Sequence, residues 1–247
     1  MTALVSPDGE PGAPRGDRAG ELRAAAERLD RRIAAACAAA GRPRADVTTV
    51  AVTKTFPASD VEAWYLATGL VDIGEAREQE LRAKRAALAG LPVRWHFLGR
   101  LQANKARAVG RSADVVHSVD RDALLPLLSR GAAERDAPLG VFVQVSLDGD
   151  PARAGVPPAE LHRLADAVAA TAALTLRGLM AVAPRGAEPA AAFGQLAELA
   201  AAVREQHPHA RDLSAGMSGD LEAAVAHGAT HLRVGSALFG VRPPLDR

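Results

Sequence analysis

Eight short apolar runs, separated by stretches of helical spacing, constrain this chain more than any other feature. The runs are VTTVAVTK (47–54), LVDIG (70–74), VRWHFLG (93–99), DVVHSV (114–119), GVFVQVSL (140–147), LRGLMAV (176–182), DLSAGM (212–217) and THLRVGS (230–236). Helix-like stretches lie between them at 58–68, 75–90, 102–110, 121–135, 158–172, 188–206 and 219–228. This alternation predicts a parallel sheet covered by helices. Eight such units in 247 residues fit a single (β/α)8 barrel, with a doubly wound open sheet as the alternative. A further helix over 19–41 precedes the first strand: Leu22, Ala26, Leu29, Ile33 and Cys37 recur at helical spacing, and Gly41 stops it. The barrel domain is read as 19–242. Residues 1–18, rich in Gly and Pro, are read as a disordered tail, and 243–247 as a short C-terminal one.

Charge argues against some partners. With 30 basic and 29 acidic residues, nothing pulls the chain toward nucleic acid or an anionic membrane. Aromatic residues, at 3%, are too few for base-stacking platforms. Cys37 is the single cysteine, so no intrachain disulfide can form, and its alanine-rich setting reads as a small buried thiol. No apolar segment is long enough to span a membrane and the N-terminus lacks a signal h-region, so the expected location is the cytoplasm.

A barrel gathers its chemistry at the C-terminal ends of its strands. Standing there are Lys54, Gly74-Glu75, His96 to Arg100, His117-Ser118, Ser146, Met180 to Ala183, Ser214 to Ser218, and Arg233 to Ser236. The set holds an amine, imidazoles, hydroxyls, glycines and an arginine. It is poor in carboxylates, and no metal site is expected. The turns LSAGMSGD and LRVGSALFG place Ser, Gly and backbone N–H groups at the exits of strands seven and eight, where barrels commonly bind phosphate. Plain helix capping is the competing reading of those serines. By alternation Arg233 shares the face of Gly235, and an inward arginine needs a carboxylate or a ligand. Lys54 is either solvated or a desolvated amine suited to a carbonyl compound. An amine opposite a phosphate site calls for a phosphorylated aldehyde, and pyridoxal 5′-phosphate (PLP) meets both requirements. His96 and His117, each taken alone, read equally well as core histidines.

Six runs, AVTKTFP, GEAREQE, WHFLGRLQANK, RGLMAV, LSAGMSGDLEAA and LRVGSALFG, occur in the order of the PLP homeostasis protein family, also called the YggS or proline synthetase co-transcribed homolog family. The chain resembles that family over roughly residues 20–242. The resemblance implies a barrel similar to the N-terminal domain of bacterial alanine racemase. It implies PLP held as a Schiff base on Lys54, and cofactor contacts from Ser214, Met217, Ser218, Arg233, Gly235 and Ser236. It departs at Ala76, where the family usually has asparagine, and at Arg77, where an aromatic is usual.

Two functions follow from this reading. One is a PLP-binding carrier or regulator in PLP homeostasis, without strong catalysis and without catalytic residues of its own, acting on PLP-dependent apoenzymes. The other is a small PLP-dependent racemase or lyase. Alanine racemase uses a second, all-β domain and a tyrosine supplied across a dimer. The only tyrosine here, Tyr65, falls on the first barrel helix, so a racemase would need His96 or His117 as its second base. Lack of that dimer-forming domain makes a monomer the expected state.

Overall fold

The computed structural model describes residues 15–150 and 153–240. Eight parallel strands close into a barrel in sequence order: β1 (Thr48–Val52), β2 (Asp72–Glu75), β3 (Arg94–Phe97), β4 (Val115–Val119), β5 (Leu139–Gln144), β6 (Leu174–Met180), β7 (Asp212–Ser214) and β8 (His231–Val234). Closure comes from β1 pairing with β8, with Val50 opposite Arg233 and Ala51 opposite Val234. The open-sheet alternative is thereby excluded.

The first helix, α1 (Arg15–Ala39), begins inside the segment read as a tail. The rest of that segment, 1–14, and the tail at 243–247 lie outside the described residues. The barrel helices follow as α2 (Ala58–Thr68), α3 (Glu78–Ala87), α4 (Ala103–Ser112), α5 (Leu125–Ala132), α6 (Leu161–Ala170), α7 (Pro189–Gln206), α8 (Leu221–Ala226) and the single turn α9 (Ser236–Phe239). Helix α1 lies across α2, α8 and α9, covering the seam where the barrel closes. Arg18 on α1 pairs with Asp60 at 2.7 Å, and Arg32 reaches Glu222 at 2.7 Å and the Ser218 carbonyl at 3.3 Å. Helix α1 therefore helps hold one of the turns at the barrel mouth.

At β1, β3, β5, β6, β7 and β8 the apolar run extends past the strand, and its last residues leave the sheet to form the mouth. Lys54 stands two positions beyond β1, and Ser236 opens α9. The main apolar core lies between the sheet and its helices and includes Trp64, Ile73, Leu81, Trp95, Leu128 and Phe193. The barrel lumen differs. Its apolar part is a small separate cluster of Val115, Phe142 and Met180, with Val182 against it. Buried polar side chains fill much of the rest: His96, His117, Ser214, His231 and Arg233. Barrel lumens are usually packed with layers of branched apolar residues, so this polar filling calls for a chemical explanation.

Candidate functional site

A cavity of about 400 Å³ opens at the C-terminal mouth of the barrel, a size suited to a small cofactor. Its wall includes Lys54 from the β1 exit, Met217, Ser218 and Gly219 from the β7 exit, and Arg233, Gly235 and Ser236 from β8 and its exit. Six of the seven residues expected at the site from sequence are thus brought together. Val52, Phe56, Leu98 and Val182 supply the apolar part of the wall. Among the described residues that line it there is no histidine, tyrosine, cysteine or carboxylate.

Lys54 is positioned by its neighbours on both sides. Strand β1 ends at Val52, and the chain turns sharply so that the Phe56 amide bonds the Thr53 carbonyl at 3.0 Å. Thr55 adopts a φ of 71°, a left-handed conformation that is costly for a β-branched residue. Helix α3 clamps the turn from below. Lys84 Nζ donates to the Thr53 carbonyl at 2.8 Å, and the Thr55 amide donates to Glu80 Oε2 at 2.9 Å. The Lys84 ammonium also bonds Glu75 Oε1, which accepts from the Thr53 hydroxyl at 2.5 Å. Glu75 is wholly buried, and burial raises its carboxyl above the ordinary value although Lys84 and Thr53 pull the other way. Sequence reading missed Lys84, which looks like a surface residue in a charged helix. The one signal was an acid, Glu75, ending a strand that is buried on both sides.

The opposite wall offers hydroxyls. Ser236 Oγ lies 3.3 Å from Ser218 Oγ, joining the β8 and β7 exits. The Met217 amide bonds Asp220 Oδ1 at 2.6 Å, which shapes the turn that carries Ser218 and Gly219. Gly235 sits close to the opposite strand exit: a Cβ there would stand 3.1 Å from the Val52 carbonyl oxygen, a tight contact. Gly99 is required by space, because a Cβ would come within 2.0 Å of the Ala76 carbonyl oxygen. This contact seats the β3 exit on the β2 exit and sets Ala76 in the cavity wall, the position at which the family asparagine is missing.

Arg233 is 7% exposed and sits at the edge of the lumen. One amino group donates to Ser214 Oγ at 2.7 Å and the other to the Ala181 carbonyl at 2.9 Å. Burial pulls its guanidinium down to about 10, partly opposed by Asp220, so it stays charged at neutral pH. Two of its five N–H donors are committed, which leaves donors for a ligand. Of the two partners expected from sequence, a carboxylate or a ligand, no carboxylate among the described residues bonds it; its protein partners are a hydroxyl and a carbonyl.

Ser214 is the expected site residue that the structure does not bring to the cavity wall. It is wholly buried, and its hydroxyl is engaged by Arg233 and by His117 Nδ1 at 2.8 Å. Strand alternation turns it into the lumen beneath the site. His96 and His117 are also wholly buried and off the cavity wall, bonded to each other at 2.8 Å. Neither lines the cavity that holds Lys54. Tyr65, on α2, is also absent from the wall.

The family profile described as alanine racemase, N-terminal domain, matches residues 25–243. The chain belongs to this family. Within it, a pyridoxal phosphate homeostasis protein from Mycobacterium tuberculosis H37Rv is 42% identical over 245 residues, covering 92% of this chain and 95% of its own. A pyridoxal phosphate homeostasis protein from Pseudomonas aeruginosa is 44% identical over 211 residues, covering 85% of this chain and 91% of its own. Among solved structures, PipY of Synechococcus elongatus with PLP bound is 40% identical, has a TM-score of 0.73, and matches 84% of this chain over its whole length. The alanine racemase barrel and the membership of this group, both implied by the sequence runs, are thereby established.

Proposed function

We propose that this protein binds PLP on Lys54 and serves PLP homeostasis as a carrier or regulator, without strong catalysis. The observation that carries this reading is the convergence of Lys54, the Ser218–Ser236 hydroxyl pair and Arg233 on one cavity from three separate strands. That donor set fits the cofactor. PLP supplies an electrophilic aldehyde that a primary amine captures reversibly, together with a phosphate and a ring nitrogen that need hydrogen-bond partners. Ser218, Gly219, Gly235 and Ser236 would hold the phosphate, and Met217 would cover the ligand from the rim. Arg233 would supply the fixed positive charge. The relatives named above support the assignment.

Among the described residues that line the wall none is a histidine, tyrosine, cysteine or carboxylate, which favours carrier over racemase, since two-base racemisation needs a second positioned base beside Lys54. The natural recipients are PLP-dependent apoenzymes, and the working state is a cytoplasmic monomer. Purified protein incubated with PLP should turn yellow, and a panel of amino acids should show no enzyme-rate exchange of the Cα hydrogen. A protein that stays colourless defeats the binding reading. Rapid exchange that disappears in Lys54→Ala defeats the carrier reading in favour of a small PLP enzyme.

A further inference from the structure

The polar side chains of the lumen form one continuous line. Arg233 bonds Ser214 Oγ at 2.7 Å, and Ser214 Oγ bonds His117 Nδ1 at 2.8 Å. His117 Nε2 bonds His96 Nδ1 at 2.8 Å, and His96 Nε2 bonds Asp72 Oδ1 at 2.8 Å. Asp72 opens β2, so it stands at the end of the barrel opposite the cavity, where Arg94 also reaches it at 3.1 Å.

The chemistry of the two ends determines the direction of every bond. Arginine only donates, so Ser214 accepts from it and has one proton left to give, to His117 Nδ1. His117 must then carry its proton on Nε2 and donate to His96 Nδ1. His96 likewise carries its proton on Nε2 and donates to Asp72, which only accepts when ionised. Asp72 is ionised: burial pushes its carboxyl up, but the His96 hydrogen bond and the Arg94 charge beside it hold it below the ordinary value. The reverse polarity needs a doubly protonated His96 and leaves the buried Ser214 hydroxyl proton without an acceptor, and both are costly. Burial also drives His117 well below its ordinary value, as the neutral arrangement requires.

We infer that Asp72, His96 and His117 are positioning residues for the cofactor site: a one-way hydrogen-bond relay that fixes the Ser214 lone pair under Arg233 and so holds the guanidinium at the cavity. The inference rests on the proposed function in taking Arg233 as a cofactor contact. Ser214 serves the site from beneath and not as a phosphate ligand. Packing supports the line along its length. His117 stacks on Phe142 of β5 with centroids 4.5 Å apart, and the β4–β5 register shifts between Val116 and Val119, around this residue. His231 of β8 packs 6.2 Å from His117 and 6.3 Å from His96. The charged and titratable groups facing His117 are His96, His231, Arg177 and Arg233, all of them opposed to a further positive charge. Protonating His117 would place an N–H against Ser214, in competition with Arg233.

Two measurements on the full chain test the relay. Histidine ¹⁵N NMR on ligand-free protein at neutral pH should show His96 and His117 neutral, each with its proton on Nε2. A charged His96, or Nδ1-protonated His117, overturns the relay whether or not PLP binds. The second measurement is PLP affinity by titration of the visible absorbance. Asp72→Asn keeps an acceptor but loses the charge at the far end, and should weaken PLP about tenfold, the loss of one charge-assisted hydrogen bond. Asp122→Asn, which alters an exposed ion pair with Arg163, should leave affinity unchanged. Equal affinity of Asp72→Asn and the parent chain overturns the inference. Failure of the parent chain to take up PLP overturns the proposed function, and the tautomers then decide the relay alone.

Discussion

Replacing Lys84 by methionine tests how the Lys54 turn is held. Lys84 is 6% exposed and Glu75 fully buried, so the substitution leaves a carboxylate in the core without its cation. Breaking such a pair costs about 3–5 kcal/mol. Glu75 can escape part of that cost by taking up a proton. From an ordinary value of 4.5, neutralising it costs ~1.4 kcal/mol per pH unit, or about 5 kcal/mol at pH 8 and about 1.4 kcal/mol at pH 5.5. The lost bond to the Thr53 carbonyl adds about 1 kcal/mol at either pH. Lys84→Met should therefore destabilise the protein by roughly 4–6 kcal/mol at pH 8 and by roughly 2.4 kcal/mol at pH 5.5. Urea denaturation reads this as a midpoint lowered by at least about 1 M at pH 8. Adding Glu75→Gln should restore about 2–3 kcal/mol at pH 8 by removing the stranded charge. An equal loss at both pH values, or a double variant no more stable than the single one, would refute the clamp as a buried ion pair.

Further outcomes follow from the same structure. Ala76→Asn, placed in the cavity wall, should tighten PLP about 2–10-fold by adding one neutral hydrogen bond, as seen in the absorbance titration. Stability should fall as pH drops from about 6.5 toward 4. Burial lowers His231 from 6.5 to about 4 and His117 well below its ordinary value, so the unfolded chain binds more protons across that window. His231 alone contributes about 2–3 kcal/mol of this loss by pH 4.5, and Asp72, also lowered, adds to it further down. Glu75, raised by burial, works in the opposite sense. A flat urea midpoint between pH 7 and 4.5 would show that the lumen histidines are not buried neutral.

The barrel was legible because each strand-helix unit announces itself locally, by an apolar run and then helical spacing. Strand ends were less so: Lys54 and Ser236 continue apolar runs in sequence but stand past the sheet, where the chain turns to make the mouth. The barrel rule places Lys54, Met217, Ser218, Arg233, Gly235 and Ser236 among the strand exits, and the resemblance to the family singles them out from the other residues there. For Ser214 the resemblance implies a cofactor contact, yet alternation on β7 sends it inward. His96 and His117 each read as a solitary core histidine. Their partners lie on β2, β3, β4 and β7, up to 97 residues away, and no local pattern reveals such a line. Lys84 was hidden similarly, since its acid stands on a strand nine residues earlier.

The central claim is that Lys54 is the amine that holds PLP, and the chain makes it unusually simple to test. Its sequence contains three lysines: Lys54 on the cavity wall, Lys84 buried against Glu75, and Lys105 on α4, 39% exposed and 3.7 Å from Glu78. Borohydride reduction of PLP-loaded protein, followed by peptide mass mapping, should place the pyridoxyl group on Lys54, and Lys54→Ala should lose both the label and the colour. A label on Lys84 or Lys105, or a yellow Lys54→Ala protein, would contradict the account.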